Sequence, residues 1–269
     1  TGNLIKYIEL HFGMQSDFRS TVLASQLVQA IAIKTAVEAH RISMPFCMGT
    51  LYWQFNDCWP AISWSSIDYY GKWKALHYHA KRFFNPIIIV INEDKEKISF
   101  TVVNDQHKAV ESNINIQLST FQGSILLKKT FAYMAPNFSS NEVFSFEKKK
   151  YEKKKRDSDL FINARISKDN SLIYSNNYFF TVPKYLNLPS PKFEYEVQAS
   201  DEKVYIQIKA VSFIYQLYIV CNNSEGVFSD NYFDLIPQEV ITIYFIPKEK
   251  NMNTKYDFYF QTAVDLIKR

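Results

Sequence analysis

The hydrophobic period of this 269-residue chain changes at Asn85-Pro86. Before that point, apolar residues recur at the three- and four-residue spacing of a helix, whereas residues 87–182 alternate between apolar and polar in twos. Alternation in twos is typical of strands that have one face in a core and the other in water. The change therefore predicts a multi-domain chain in which a helical first segment precedes a long β-rich part.

Two helices and one strand are expected before the change of period. Residues 17–42 contain neither Gly nor Pro, and Asp17 is a suitable N-cap for a long helix. Residues 71–84 carry apolar side chains at helical spacing, and the run Cys47–Phe55 between the two helices has the length of a strand. This order is typical of an α/β unit. Since a (β/α)8 barrel needs about 250 residues, residues 1–85 predict only the C-terminal end of such a barrel.

The β-rich part predicts two immunoglobulin-like sandwiches. Residues 86–183 hold about seven short alternating runs separated by polar turns, which is typical of this fold. The segment 184–191 is rich in proline and indicates a linker. Alternation resumes over residues 192–269, where we expect a second, smaller sandwich. The predicted fold class is thus the end of an incomplete TIM barrel followed by two β-sandwiches.

Composition argues against several functional classes. The chain has only 6 Gly, and it contains no glycine-rich loop for a phosphate or a dinucleotide. Cys47, Cys58 and Cys221 lack the spacing of a zinc site or a disulfide framework. His77 and His79 are two residues apart on a predicted helix and so point to different faces. We therefore expect no metal and no cofactor. No apolar run approaches the ~20 residues of a membrane span, so no span is expected.

The net charge of +4 comes from one segment. Residues 147–156 hold seven Lys or Arg and two Glu, so the rest of the chain is close to neutral. A basic run of this kind can bind nucleic acid or an anionic surface, but no other feature of the sequence indicates nucleic-acid recognition. We interpret the run as a solvated loop between strands and expect no nucleic-acid partner.

The tryptophan-rich stretch Gly49–Phe84 has the sequence GTLYWQFNDCWPAISWSSIDYYGKWKALHYHAKRFF. It closely resembles the final barrel strand, loop and helix of the β-mannosidases in glycoside hydrolase family 2. The helix Leu23–Arg41 resembles the preceding barrel helix of the same enzymes. Phe228–Pro237 resembles a signature in their C-terminal immunoglobulin-like domain. The three matches follow the order of the family, and from the first to the last they extend over nearly the whole chain, from Leu23 to Pro237.

The resemblance implies a retaining exo-β-mannosidase. Such an enzyme removes terminal β-linked mannose from the non-reducing end of oligosaccharides, here in a secreted, periplasmic or lysosomal location. Retaining glycosidases use two carboxyl groups about 5–5.5 Å apart, one as nucleophile and one as acid/base. In this family both are glutamates on earlier barrel strands; the acid/base follows an Asn, and the nucleophile opens a Glu-(Phe/Tyr)-Gly motif.

Neither catalytic motif occurs in the barrel segment, which offers only Glu9 and Glu38. Glu38 lies deep in a predicted helix, and Glu9 is followed by Leu-His. We therefore expect no catalytic residue in this chain and no turnover by the chain alone. Its partners would be a mannose-containing oligosaccharide and the upstream remainder of the same enzyme. The first residue, Thr1 in place of Met, fits a piece of a longer protein.

Trp53 is the residue expected to contact the sugar. Alternate side chains of a barrel strand point into the barrel, and those near its C-terminal end reach the active site. An indole there offers a broad platform to the apolar face of a sugar, and the resemblance implies this role for Trp53; a core or interface tryptophan is the alternative. Asn56 and Asp57 could bind sugar hydroxyls, although structural support is the favoured interpretation. Trp59 and Trp64 could form the rim of an outer subsite or pack the barrel against the first sandwich.

Two other functions stay open. The chain could come from a family 2 glycosidase with another glycone specificity, such as a β-galactosidase or an exo-glucosaminidase. It could instead be a non-catalytic carbohydrate-binding β-sandwich with a helical adaptor, or the product of a truncated gene. A self-sufficient adaptor should bury the apolar faces of residues 17–84 by itself, whereas part of a barrel should leave a large apolar face exposed.

Overall fold

The computed structural model describes residues 2–152, 156–200, 202–249 and 255–268. These residues form two compact units, each containing one β-sandwich. The sandwich-1 unit comprises residues 29–53 and 79–187, and the sandwich-2 unit comprises residues 1–28, 54–78 and 188–269. Residues 1–85, predicted to end a barrel, are thus distributed over both units.

Three helices precede the β-rich part: α1 (Gly2–Phe12), α2 (Phe18–Ile42) and α3 (Ala75–Phe83). The predicted N-cap of α2 is confirmed, because the Asp17 carboxylate accepts a hydrogen bond from the backbone N–H of Ser20 at 2.9 Å. Helix α1 was not predicted. It buries only Ile8 and Phe12, which is too short an apolar stripe to show a period in the sequence.

Helix α3 begins at Ala75 rather than at Gly71. The Asp68 carboxylate accepts hydrogen bonds from the backbone N–H groups of Tyr70 and Lys72, at 2.9 and 2.8 Å. Gly71 sits inside this turn with a φ of 81°. That left-handed conformation favours glycine and cannot belong to a right-handed helix, so the helix starts only after the turn.

The strand predicted for Cys47–Phe55 is wrong, since the segment has no regular structure. The only pairing nearby consists of isolated bridges that join Ile67 to Asn56 and to Trp73. A strand needs a neighbour to pair its backbone N–H and C=O groups, and within the described ranges no strand borders this segment. Its apolar side chains are exposed as well, and Leu51 is 100% accessible to solvent.

The first sandwich has the seven strands that the alternation predicts. They are β1 (Ile87–Glu93), β2 (Lys97–Asn104), β3 (Val110–Thr120), β4 (Ile125–Ala135), β5 (Ser139–Glu147), β6 (Leu160–Lys168) and β7 (Ser171–Phe179). One antiparallel sheet has the order β1-β2-β5, and the other has the order β4-β3-β6-β7. Ile114, Ile116 and Leu118 of β3 alternate into the core and are fully buried.

Strand β1 departs from the alternation, because all five residues from Ile87 to Ile91 are buried. Ile42, which ends α2, and Met44 just after it pack against the same core. Residues of α2 and of β1 also line one cleft of the sandwich-1 unit. A strand that is covered on both faces has apolar side chains at every position, which explains the sequence IIIVI at residues 87–91.

The second sandwich also has seven strands. They are β8 (Phe193–Ala199), β9 (Val204–Ala210), β10 (Ile214–Cys221), β11 (Gly226–Phe228), β12 (Phe233–Leu235), β13 (Val240–Pro247) and β14 (Phe258–Gln261). The sheet orders are β11-β13-β9-β8 and β12-β10-β14. The alternation along β9 is complete: Val204, Ile206 and Ile208 are buried, whereas the residues between them are exposed. The predicted linker contains one short 3-10 helix, Pro183–Tyr185.

The basic run 147–156 is only partly a loop. Strand β5 ends at Glu147, and helix α4 (Lys149–Glu152) follows. Tyr151 is buried and packs edge-on against Phe146, with 5.2 Å between the ring centroids. Lys148 forms an ion pair with Glu93. This end of the run is therefore anchored to the sandwich, while Lys153, Lys154 and Lys155 lie outside the described residues.

Helix α2 is, by length and composition alone, able to cross a membrane. This differs from the expectation drawn from the sequence. However, its polar residues are engaged with the first sandwich: the buried carboxylate of Glu38 accepts hydrogen bonds from Lys34 at 2.9 Å and from Asn176 at 3.0 Å. Asn176 in turn donates to the carbonyl oxygen of Ile89 at 3.0 Å. Such pairing is characteristic of a helix packed within a protein.

Arg41 makes the strongest link between α2 and the rest of the sandwich-1 unit. Its guanidinium is buried and donates to the carbonyl oxygens of Phe83, at 2.6 Å, and Asn85, at 2.9 Å. It also forms an ion pair with the Asp105 carboxylate at 2.5 Å. Burial lowers the pKa of Arg41 and the Asp105 charge opposes that change. One side chain thus joins α2, the end of α3 and the loop after β2.

We expect Arg41→Ala to lower the free energy of unfolding of the sandwich-1 unit by about 2–4 kcal/mol, because one buried and one partly buried carbonyl oxygen lose a charged donor. Asp105→Asn is the matched control. Since the Asp105 side chain is 45% exposed, its loss should cost only about 0–1 kcal/mol. Urea unfolding followed by circular dichroism measures both variants. Equal effects of the two substitutions would contradict the role given to the carbonyl contacts.

Candidate functional site

Three of the four tryptophans of the chain are largely exposed. Trp53 is 75% accessible, Trp59 67% and Trp64 68%. Trp53 belongs to the sandwich-1 unit, and the other two belong to the sandwich-2 unit. Large exposed indoles on a folded surface mark a binding site or a face that another part of the protein covers.

The segment 54–74 is held by backbone hydrogen bonds although it contains no strand. The N–H groups of Ser66 and Ile67 both donate to the carbonyl oxygen of Phe55, at 3.1 and 2.9 Å. Asp57 N–H donates to the Ile67 carbonyl oxygen at 3.1 Å, and Lys74 N–H donates to Ser66 at 2.9 Å. The two ends of the segment are therefore fixed against its middle, and we call residues 54–74 the tryptophan loop.

Asp57 is the electrostatic centre of the tryptophan loop. Its carboxylate is buried and accepts hydrogen bonds from the hydroxyls of Ser63 and, at 2.6 Å, Ser65. The Lys74 ammonium lies 3.1 Å from the same carboxylate and donates to the Ser65 hydroxyl at 2.6 Å. Hydrogen bonds from Ser63 and Ser65, followed by the contact with Lys74, lower the pKa of Asp57 to about 2, while burial opposes the shift.

The Asp57 carboxylate thus accepts its hydrogen bonds from Ser63, Ser65 and Lys74, all of which belong to the same loop. Asn56 is exposed, and its amide donates weakly to the Asp57 carbonyl oxygen at 3.3 Å. Gln54 donates to the Asn56 carbonyl oxygen at 3.1 Å. The geometry gives Asp57 a structural part in the loop, and contact of Asn56 or Asp57 with a sugar stays a prediction.

His77 links the tryptophan loop to α3. Its Nδ1 lies 3.1 Å from the Ser66 hydroxyl, which itself donates to the Phe55 carbonyl oxygen at 2.9 Å. The His77 ring also packs against Phe55 and Trp73, with centroids 5.6 and 4.3 Å away. A structural role for His77 agrees with these contacts.

Among the residues that the structure describes, Glu9, Glu38 and His11 do not cluster with the Asp57 network. Glu9 is an exposed residue of α1, and Glu38 is paired with Lys34. Burial lowers the pKa of His11, and the charged form is correspondingly disfavoured. Across the part of the chain that the structure describes, no three His, Cys, Asp or Glu side chains are arranged to hold a metal ion.

Sequence reasoning missed the residues that build the loop. Ser63, Ser65, Ser66 and Lys74 converge on Asp57 or Phe55 through contacts that span 6 to 17 residues of sequence. Loops rich in serine are common in proteins. The run Ser63–Ser66 therefore does not by itself predict a hydrogen-bond network around Asp57. The usable signal in the sequence was weak: Asp57 lies near the start and Lys74 at the end of a segment that has no repeating hydrophobic pattern.

Two parts of the chain match known domain families. Residues 96–185 match the family described as Mannosidase Ig/CBM-like domain, and residues 188–259 match one described as Ig-fold domain. The β-mannosidase of Capra hircus is 27% identical over 97% of this chain and 32% of its own length.

Solved structures agree with these matches. The β-D-mannosidase of Dictyoglomus thermophilum superposes with a TM-score of 0.87 at 28% identity, covering 97% of this chain and 32% of that chain. The exo-chitosanase of Amycolatopsis orientalis superposes with a TM-score of 0.78 at 15% identity, covering 96% of this chain and 35% of that chain. An identity of 15% shows a shared fold alone.

The two sandwiches match families of immunoglobulin-like domains, the first of them described for mannosidases. The chain is similar to the C-terminal part of β-mannosidases over nearly its whole length, and the resemblance seen in the sequence is confirmed. It spans about a third of the length of the relatives that it matches, 32% for the goat enzyme.

We expect Asp57→Asn to lower the thermal midpoint of unfolding at neutral pH. A carboxylate with a pKa lowered to about 2 stabilises the folded chain above the unfolded value of about 3.9, and this stabilisation is lost as the pH falls from about 4 to about 2. The difference in midpoint between the parent chain and Asp57→Asn should therefore shrink over that range. Thermal unfolding followed by circular dichroism measures it.

Ser65→Ala is the companion variant, because it removes one donor and keeps the charge. It should show a smaller difference with the same dependence on pH. A difference between Asp57→Asn and the parent chain that is constant from pH 4 down to pH 2 would contradict the role given to the ionised carboxylate.

Proposed function

We propose that this chain is part of a retaining exo-β-mannosidase that removes terminal β-linked mannose from oligosaccharides. The observation that carries the proposal is the similarity to β-mannosidases over 97% of the chain, in sequence and in structure. The reaction would use two carboxyl groups about 5–5.5 Å apart. Glu9 and Glu38 are unsuitable for either part, so the upstream remainder of the enzyme would supply both.

Helices α2 and α3, with the segment between them, would form the end of a TIM barrel. Support comes from apolar side chains that the chain leaves in solvent, since a self-sufficient adaptor would bury them. The most exposed of them are Phe18, Phe46, Leu51, Trp53 and Ile62. Phe46, Leu51 and Ile62 are between 94% and 100% accessible. Strands from the upstream remainder would both cover these residues and pair the backbone of Cys47–Phe55.

Trp53 would be the sugar platform of this site. Its indole is 75% exposed and precedes the anchored tryptophan loop directly. A rigid aromatic surface can hold the apolar face of a pyranose while polar groups elsewhere select the glycone. Trp59 and Trp64, also exposed, are suited to the rim of an outer subsite. Asn56 is exposed and, held only by a long bond from its amide to the Asp57 carbonyl oxygen, would reach a sugar hydroxyl, whereas the Asp57 carboxylate would act through the loop.

The alternatives have less support. An exo-glucosaminidase specificity rests on a structural likeness at 15% identity, against 28% for a β-mannosidase of similar coverage. A stand-alone carbohydrate-binding module does not explain the exposed apolar residues of the barrel segment, because such a module should bury them itself.

In the longer enzyme, we expect Trp53→Ala to lower kcat/KM for 4-nitrophenyl β-mannoside by about tenfold or more, which corresponds to about 1.4 kcal/mol of lost binding to the transition state. Trp53→Phe, which keeps an aromatic face, should retain most of the activity. Steady-state kinetics measure both variants.

Tyr70→Ala is the matched control, because Tyr70 is 70% exposed on the same segment but is not predicted to meet the sugar. The isolated 269-residue chain should show no turnover. Full activity of Trp53→Ala would rule out the platform, and turnover by the isolated chain would rule out the upstream position of the catalytic glutamates.

A further inference from the structure

An aromatic stack connects the second sandwich to helix α3 inside the sandwich-2 unit. Tyr218 of β10 lies flat against Tyr232, with 4.6 Å between the ring centroids and 18° between the planes. Tyr232 then packs against Tyr78 of α3 at 5.8 Å. Tyr78 and Tyr232 are both 4% exposed, so this contact is excluded from water.

The stack continues into the tryptophan loop. Tyr78 packs against Trp73 with 5.2 Å between centroids, and Trp73 packs against His77 at 4.3 Å. His77 reaches the Ser66 hydroxyl at 3.1 Å, and Ser66 donates to the carbonyl oxygen of Phe55, two residues after Trp53. A continuous series of contacts therefore leads from the second sandwich to the residues beside the proposed sugar platform.

Tyr232 adopts a conformation that the surrounding structure must enforce. Its φ is 53°, in the left-handed region that bulky residues avoid. The adjacent Asn231 fixes this geometry, because its side-chain oxygen accepts from the N–H groups of Ile219 and Tyr232, at 2.9 and 3.1 Å. Its amide also donates to the Ile219 carbonyl oxygen at 2.8 Å. Asn231 is 2% exposed, and its hydrogen bonds hold the bend at residues 231–232 against Ile219 of β10.

The Tyr78 hydroxyl takes part in the same anchor. It is hydrogen-bonded by the backbone of Phe228 and by the side chain of Asn231, although burial raises its pKa overall. Burial also raises the pKa of Tyr232. Both hydroxyls therefore stay neutral at physiological pH.

We propose that Tyr232, held in its left-handed conformation by Asn231, is a positioning residue that fixes the tryptophan loop for sugar binding. The segment Phe228–Leu235 would thus act through Tyr78, Trp73 and His77 on the base of the site, without touching the sugar. The role in sugar binding rests on the proposed β-mannosidase activity. The mechanical part of the inference, that Tyr232 holds the tryptophan loop in place, concerns only this chain.

Hydrogen–deuterium exchange on the full 269-residue chain tests the mechanical part. Tyr232→Leu removes the ring and should speed exchange of the Ser66 and Ile67 amides by about tenfold or more, because their bonds to Phe55 lose support. Tyr232→Phe keeps the stack and should exchange like the parent chain. Amides of β9 and β13 report on the sandwich itself and should be unchanged in both variants.

A second variant covers the case in which Tyr232→Leu unfolds the sandwich, as fast exchange in β9 and β13 would show. Tyr78→Leu removes the same ring contact from the helix side, together with the hydroxyl that Asn231 bonds, but keeps the hydrogen bonds of Asn231 to Ile219 and Tyr232. It should again speed exchange of Ser66 and Ile67 alone. Unchanged exchange at these two amides in a folded Tyr232→Leu or Tyr78→Leu chain would overturn the proposal.

Kinetics of the longer enzyme separate this inference from the proposed function. Tyr232→Leu should raise KM for 4-nitrophenyl β-mannoside severalfold with a smaller change in kcat, and Tyr232→Phe should restore the parent value. A parent enzyme without activity on β-mannosides refutes the proposed function and leaves the exchange result standing. An active parent with an unchanged KM in Tyr232→Leu refutes the positioning role alone.

Discussion

The buried guanidinium of Arg41 is the interaction on which the sandwich-1 unit depends. A charge that is only 8% exposed is tolerated when strong acceptors surround it, and here these are two main-chain carbonyl oxygens and one carboxylate. The acceptors come from the end of α3 and from the loop after β2. Because the geometry of a guanidinium is rigid, the register of α2 against them is fixed.

Glu38, one turn before Arg41, is a second buried charged side chain of α2, and it too is surrounded by hydrogen-bonding partners. Its contact with Asn176 binds α2 to β7, and Asn176 extends the network to β1, while Lys34 of the same helix pairs with the Glu38 carboxylate. Apolar packing alone would let the helix slide, since hydrophobic contact is non-directional. The polar network therefore sets where α2 ends and, with it, where the exposed segment that carries Trp53 begins.

The sandwich-2 unit fixes the tryptophan loop in a comparable way. The exposed surface of the tryptophan loop has little packing of its own, but its base is fixed by the Asp57 network and by the aromatic stack that ends at Tyr232. Binding sites gain from side chains whose positions are set before the ligand arrives. The tryptophan loop, which is exposed on its outer surface and anchored at its base, meets this requirement.

Much of this fold follows from the sequence. Alternation in twos placed both sandwiches, and Asp17 marked the start of α2, because both signals arise from contacts close in sequence. The strand expected at Cys47–Phe55 failed, since a strand needs a partner that no local pattern supplies. The Asp57 network and the left-handed Tyr232 escaped prediction for a related reason: each depends on contacts between residues far apart along the chain.

We propose that this chain forms one wall of a mannose-specific site whose carboxylates lie elsewhere in a longer enzyme. The most direct measurement is the ratio of kcat/KM for 4-nitrophenyl β-mannoside to that for the corresponding β-glucosaminide and β-galactoside, on the longer protein that contains these residues. We predict a preference for the mannoside of about 100-fold or more, as expected when a site pairs its polar groups with one sugar. Equal rates on the three substrates, or a preference for the glucosaminide, would contradict it.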